Sequence, residues 1–183
     1  SWSRGLGDVY KRQISKLDWL NSQHLANLTL NQFKKNLEPF LNKINIDMDS
    51  HSNVDSLIEA MRTSSDTLSG IAQSLIPYYQ DIDEYDEKAI DKFISDKNLL
   101  MQLRNLIDGI NDWNLDSIES SLTNFQAENN LSTPAVNQPI RIALTGSTKS
   151  PGLGLTLTFF SKKTVLERIC LLYTSPSPRD QEA

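Results

Sequence analysis

Apolar residues return at helical spacing along most of the chain, and this periodicity limits the fold more than any other feature. Phe33, Leu37, Phe40 and Leu41 stand at i, i+4, i+7 and i+8. Such a stripe covers one side of an α-helix and needs a partner to bury it. Leu57, Ile58 and Met61 form another face, and Leu68, Ile71, Ala72, Leu75 and Ile76 the next. Leu99, Leu100, Leu103, Leu106, Ile107 and Ile110 crowd one side of a later segment, and Ile118, Leu122 and Phe125 continue the pattern. The expectation is an all-α fold. Pro77 interrupts the series, because proline lacks a backbone donor and clashes with the preceding turn. It is expected to mark the boundary between a pair of small helical subdomains, residues 14–76 and 77–169.

Both ends are set apart from this pattern. Codons for Ser3 to Gln13 can be chosen whose reverse complement, read in another frame, encodes Cys170 to Asp180. Two unrelated peptides have no reason to share one inverted DNA sequence. The relation points to a transposon-type sequencing adapter translated at both ends, so residues 1–13 and 170–183 are read as adapter-derived. The native region is then a fragment cut at both ends. Cys170 is the only cysteine, so the native region offers no thiol chemistry, disulfide or cysteine-based metal site.

Charge is unevenly placed. The chain carries a formal −5. From Pro134 to Ile169, however, Arg141, Lys149, Lys162, Lys163 and Arg168 face a lone acid, Glu167. Overall acidity argues against broad nucleic-acid binding, while the basic end permits a local phosphate contact. No run of eighteen apolar residues exists, so a membrane span is not expected.

Local signals mark the helix ends. Thr29 followed by Gln32 offers a capping box. Pro39 is expected to kink or divide the stripe around it, and residues 42–53 read as a polar linker. Asp66 is a candidate N-cap for the helix carrying Leu68. Asn114 is a candidate cap ahead of Ile118, and Trp113 an anchor for the turn before it. Residues 127–138 read as a linker, Pro139 as a helix start, and Thr145-Gly146 as its stop.

Candidate chemistry is sparse. Asp47 and Asp49 lack the glycine and terminal glutamate of an EF-hand loop. Asp81, Asp83, Glu84, Asp86 and Glu87 suit a solvated helix start, where the helix dipole favours acids. His24 has no second metal ligand at a useful spacing. Residues 146–152 lack the Gly-Lys-(Ser/Thr) ending of a phosphate loop. No catalytic or metal-binding residue is therefore expected.

One stretch has a distinctive grammar. Pro139-Ile140-Arg141-Ile142-Ala143-Leu144-Thr145-Gly146 leads into Ser150-Pro151-Gly152-Leu153 and then Leu166-Glu167-Arg168-Ile169. This resembles the C-terminal end of the anticodon-binding region of bacterial glutamyl-tRNA synthetases, class I aminoacyl-tRNA synthetases. Lys16-Leu17-Asp18-Trp19-Leu20-Asn21, Glu84 to Ala89 and Asp112-Trp113 are also similar to family segments. Thr63 to Leu68 departs from the family pattern, since its basic residues are missing and only Arg62 stands nearby.

The resemblance implies a helical cage or bundle of two subdomains that reads anticodon bases. Leu153, Leu155, Leu157 and Phe159 alternate as a strand would, but the family continues as a helix there. Helix is the expectation, because the surroundings are helical and a lone strand would lack a partner. By the same resemblance Arg141, Ser150, Pro151 and Leu153 are the anticodon-binding residues. An arginine supplies a rigid donor fork, and proline and leucine give apolar walls for an unstacked base. Arg62, Lys149, Lys162 and Lys163 are candidate RNA contacts.

The resemblance further implies a cytoplasmic, monomeric parent enzyme that joins glutamate to tRNA(Glu), or also to tRNA(Gln), using ATP and magnesium. Its catalytic signatures do not occur in this sequence, so the fragment is expected to hold no cofactor and to be inactive alone. The competing expectation is a helical structural or protein-interaction module without RNA binding.

Overall fold

The computed structural model describes Lys16, Asn21 and residues 23–174, and all regular structure among them is helical. Trp19, expected as a core or interface residue, lies outside the described residues, as do Ser3–Gln13 and residues 175–183. The chain forms two compact units, one ending at Tyr79 and the other starting at Gln80.

The first unit contains helical residues 23–27, α1 (Leu30–Lys43), a 3-10 turn (Met48–Ser50), α2 (Val54–Met61) and α3 (Leu68–Tyr79). The expected capping box opens α1. Gln32 N–H donates to Thr29 Oγ1 at 3.3 Å, and Thr29 N–H donates to Gln32 Oε1 at 3.0 Å. Phe33, Leu37 and Leu41 are buried and face α2 and α3. Leu57, Ile58, Met61, Ile71 and Leu75 complete the core. Each such side chain contributes about 1.5–3 kcal/mol on burial.

Several expectations need correction here. Pro39 neither ends nor divides α1, which runs on to Lys43 with the proline on its exposed side. Pro77 lies inside α3, and that helix continues to Tyr79. Thr67, not Asp66, caps α3, since Gly70 N–H donates to Thr67 Oγ1 at 3.1 Å. Residues 44–50 are more than a polar linker, because Ile46 and Met48 are buried and Tyr79 donates its hydroxyl proton to the Met48 carbonyl at 2.9 Å.

The second unit contains α4 (Glu87–Phe93), α5 (Lys97–Asp108), α6 (Leu115–Glu128), α7 (Thr133–Thr145), α8 (Leu153–Thr158) and α9 (Lys162–Thr174). Asp86, Asp96, Asn114 and Ser132 cap four of these helices through side-chain oxygens. The acidic run before α4 is thus a capped helix start with Glu87 in its first turn, where the dipole favours it.

Helix α7 is the centre of this unit and packs against α4, α5, α6 and α9. Val136, Ile140, Ile142, Ala143 and Leu144 are all fully buried. It starts six residues earlier than expected, at Thr133 with Ser132 as its cap and Pro134 in its first turn. Pro139 lies inside it. The segment read as a linker is therefore mostly helix.

Gly146 ends α7 in the left-handed region at φ 71°, a conformation that carries no penalty only for glycine. Its carbonyl accepts from Asp86 N–H at 3.0 Å, and a Cβ there would lie 2.9 Å from the Glu84 carbonyl oxygen. The loop before α4 thus lies directly against the end of α7.

The Leu153–Phe159 stretch forms a helix, as expected against its alternating pattern. Leu153, Thr156 and Leu157 turn inward, and α8 packs on α6. Helix α9 buries Val165, Arg168, Ile169 and Leu172. Its last turn is built from residues 170–174, which belong to the stretch read as adapter-derived.

Candidate nucleic-acid interface

Helix α7 presents Arg141 to the turn that follows it, and α8 holds that turn from the other side. The turn is knitted by hydroxyls. Thr145 Oγ1 donates toward the carbonyls of Arg141 at 2.9 Å and Ser147 at 3.1 Å. Lys149 N–H donates to Ser147 Oγ at 3.2 Å. These bonds fold residues 146–152 back beside α7.

The arginine closes the loop. Arg141 Nε donates to Ser150 Oγ at 2.7 Å, and Nη2 donates to the Pro151 carbonyl at 3.4 Å. Ser150 Oγ in turn donates to the Pro151 carbonyl at 2.9 Å. Two attachments along one side of a planar guanidinium set the direction of the whole group. Arg141, Ser150 and Pro151 are each half-buried, at the boundary between core and solvent.

The structure therefore brings together three of the four expected anticodon-binding residues. Leu153 differs. It is 4% exposed and belongs to the inward face of α8, so it packs the interior beneath the turn rather than forming an open wall. A residue that sequence reasoning missed stands beside the cluster. Thr156 is fully buried, and its hydroxyl lies 3.2 Å from Ser150 Oγ and 3.3 Å from the Pro151 carbonyl. The only sequence signal was a polar residue at i+3 from Leu153 on an otherwise apolar helix face.

The candidate RNA contacts divide. Lys149 is exposed on the same turn as Ser150. Lys163 is exposed and pairs with Glu167 at 3.8 Å, an interaction that solvent weakens. Lys162 is not an open phosphate ligand, since its Nζ donates to the carbonyls of Asp108, the last residue of α5, and of Ile110 just after it. Arg62 is also structural. Its Nη2 donates to the carbonyls of Leu25, Ala26 and Leu28, Nη1 pairs with Glu59 at 3.0 Å, and the guanidinium lies over the Phe33 ring.

Two further groups tie together the elements that carry the site. Arg168 is 7% exposed, lies over the Phe160 ring, and donates to the carbonyls of Leu144 at 2.6 Å and Gln80 at 3.0 Å. Burial lowers its pKa from the ordinary guanidinium value, while Asp81 and Tyr85 act in the opposite direction. Burial likewise raises the Tyr85 hydroxyl, with Arg168 opposing. Trp113 Nε1 donates to the Phe160 carbonyl at 2.9 Å, so this tryptophan anchors the α8–α9 connection as well as its own turn.

Helices throughout, with a guanidinium held in one direction at a turn, define a helical binding domain able to present fixed donors to a ligand. Residues 32–171 match the anticodon binding domain family, and the chain belongs to it. It is 32% identical over 157 residues to the glutamate–tRNA ligase of Myxococcus xanthus, covering 84% of this chain and 33% of that protein. It is 27% identical over 158 residues to that of Xanthomonas campestris pv. campestris, covering 85% and 34%. The fold is similar to the crystal structure of a glutamate–tRNA ligase from Elizabethkingia meningosepticum, with a TM-score of 0.75 at 20% identity over 88% of this chain and 32% of that one. The chain spans about a third of the length of the curated relatives it matches.

Proposed function

We propose that this chain reads the anticodon of tRNA(Glu) as the C-terminal region of a glutamate–tRNA ligase. The family match over residues 32–171 supports this reading. The observation that carries it to particular residues is the Arg141 Nε bond to Ser150 Oγ at 2.7 Å, which joins α7 to the Ser150-Pro151 turn. An arginine so oriented donates to acceptors on a base edge in a defined direction. The Pro151 ring supplies a rigid apolar surface for an unstacked base, and Lys149 adds phosphate attraction.

In this reading the complete enzyme activates glutamate with ATP and magnesium through residues outside this chain. Residues 23–174 then contribute recognition and no bond-making step. The partner follows from the same reading, with tRNA(Gln) as the alternative to be compared.

The test uses the complete ligase that carries this region. Arg141→Ala is expected to lower kcat/KM on tRNA with the native anticodon more than on tRNAs with altered anticodons, and to leave glutamyl-adenylate formation unchanged. Loss of one specific bidentate base contact corresponds to about 1–3 kcal/mol of discrimination. An equal loss on all tRNAs would make Arg141 a phosphate or structural residue. No loss on any would remove it from the interface.

A further inference from the structure

We propose that Thr156 is a positioning residue for anticodon discrimination, acting through Ser150 on Arg141. This rests on the reading above and deepens it. Thr156 is fully buried in α8, so it cannot touch RNA. Its backbone N–H donates to the Gly152 carbonyl at 2.9 Å, which fixes the residue in the first turn of that helix. The hydroxyl then points to the two atoms that also receive Arg141. Ser150 Oγ lies at 3.2 Å from it and the Pro151 carbonyl at 3.3 Å.

The hydrogen-bond capacity of Ser150 shows what this contact does. A serine hydroxyl has one proton and two lone pairs. Its proton goes to the Pro151 carbonyl, and its lone pairs receive Arg141 Nε and the Thr156 hydroxyl. The Ser150 hydroxyl is thereby used up within the fold. Its role is to relay the position of α8 to the guanidinium rather than to bond a base itself. With the Thr156 hydroxyl removed, Ser150 loses one of the three bonds that fix its rotor, and the side of Arg141 tied to it is held less firmly in direction. Discrimination depends on direction, whereas attraction to phosphate depends on charge alone. The loss of the Thr156 hydroxyl therefore affects anticodon choice and leaves general RNA affinity in place.

The test is a binding titration of the whole chain with labelled RNA hairpins, one carrying the glutamate anticodon and one an altered anticodon. The variants are Thr156→Val, Thr156→Ser and Arg141→Ala, with the double variant of Thr156→Val and Arg141→Ala. Thr156→Val is expected to reduce the ratio of the two affinities about tenfold, the scale of one base contact. Thr156→Ser, which keeps the hydroxyl, should retain the wild-type ratio. Thr156→Val should add no further loss when Arg141 is already absent. The Arg141 Nε–H signal in nuclear magnetic resonance should be sharp in the wild type and in Thr156→Ser, and broadened by exchange with water in Thr156→Val. If wild type discriminates and Arg141→Ala does not, but Thr156→Val keeps the full ratio, this proposal fails while the anticodon reading stands. A folded Thr156→Ser that loses the ratio overturns it as well, even if Thr156→Val does not fold. If wild type itself shows no discrimination, the anticodon reading fails and this proposal with it.

Discussion

The two units each place an arginine against backbone carbonyls, yet the two guanidiniums end up with different work. In the first unit Arg62 gathers the carbonyls of Leu25, Ala26 and Leu28, pairs with Glu59 and covers Phe33, leaving its side chain 12% exposed. In the second unit Arg141 is fixed through Nε and Nη2 to one turn and remains half-buried at the surface. The first arrangement takes up orphan carbonyls at a helix end, as the physics of helix termini requires. The second fixes a direction without withdrawing the group into the core. Charge alone does not separate the two roles; the identity of the acceptors and the depth of burial do.

The largest effect expected is on the structural side of this contrast. Arg168 is the second unit's counterpart to Arg62. Arg168→Ala should destabilise by about 3 kcal/mol in chemical denaturation, because it strips the donor from the buried Leu144 carbonyl and the packing from Phe160. A loss below about 1 kcal/mol would mean that its carbonyl bonds do not hold the end of α7.

Gly146→Ala comes next. The left-handed backbone costs an L-residue roughly 1–2 kcal/mol, and the added Cβ would meet the Glu84 carbonyl at 2.9 Å. Thermal unfolding should show a loss of about 2 kcal/mol, with weaker anticodon discrimination because the turn after α7 is displaced. Wild-type stability in this variant would break the claim that the loop before α4 supports the site.

A smaller effect is expected in the first unit. The Tyr79 hydroxyl is pushed up to about 12 by burial, reinforced by the nearby charges of Asp49 and Asp47. The folded chain thus keeps this proton when the unfolded chain has lost it. The stability this provides is full below the ordinary tyrosine value of 10.0 and declines as pH rises from there to about 12. Tyr79→Phe should cost about 1 kcal/mol near neutrality, from loss of the bond to the Met48 carbonyl, and should flatten that alkaline decline. The difference between wild-type and variant denaturation curves across that range checks the sign.

Much of this was legible in the sequence. The stripes of Phe33, Leu37 and Leu41 and of Leu100, Leu103 and Ile107 are the buried faces observed, because burial of one helix side leaves a periodic trace. Thr29 and Asn114 act as the caps their chemistry suggests. Proline misled more often than it helped. Pro39, Pro77 and Pro139 all lie within helices, where packing of the surrounding apolar residues outweighs one missing donor. Arg141, Ser150 and Pro151 were singled out by the grammar of their segment, and the fold brings them into contact. That Arg62 and Lys162, read as candidate RNA contacts, serve backbone carbonyls was not legible, because those carbonyls are distant in sequence. Thr156 was missed because a buried threonine looks the same in sequence whether or not its hydroxyl is bonded to a site.

The contrast between the two arginines can be tested directly by measuring hairpin affinity and stability together for Arg141→Ala and Arg62→Ala. The account predicts that Arg141→Ala removes about 1–3 kcal/mol of discrimination between native and altered anticodons while costing stability only on the order of 1 kcal/mol. Arg62→Ala should do the reverse, lowering stability while the folded fraction keeps its discrimination. Equal discrimination by wild type and Arg141→Ala, or loss of discrimination in folded Arg62→Ala, would contradict it.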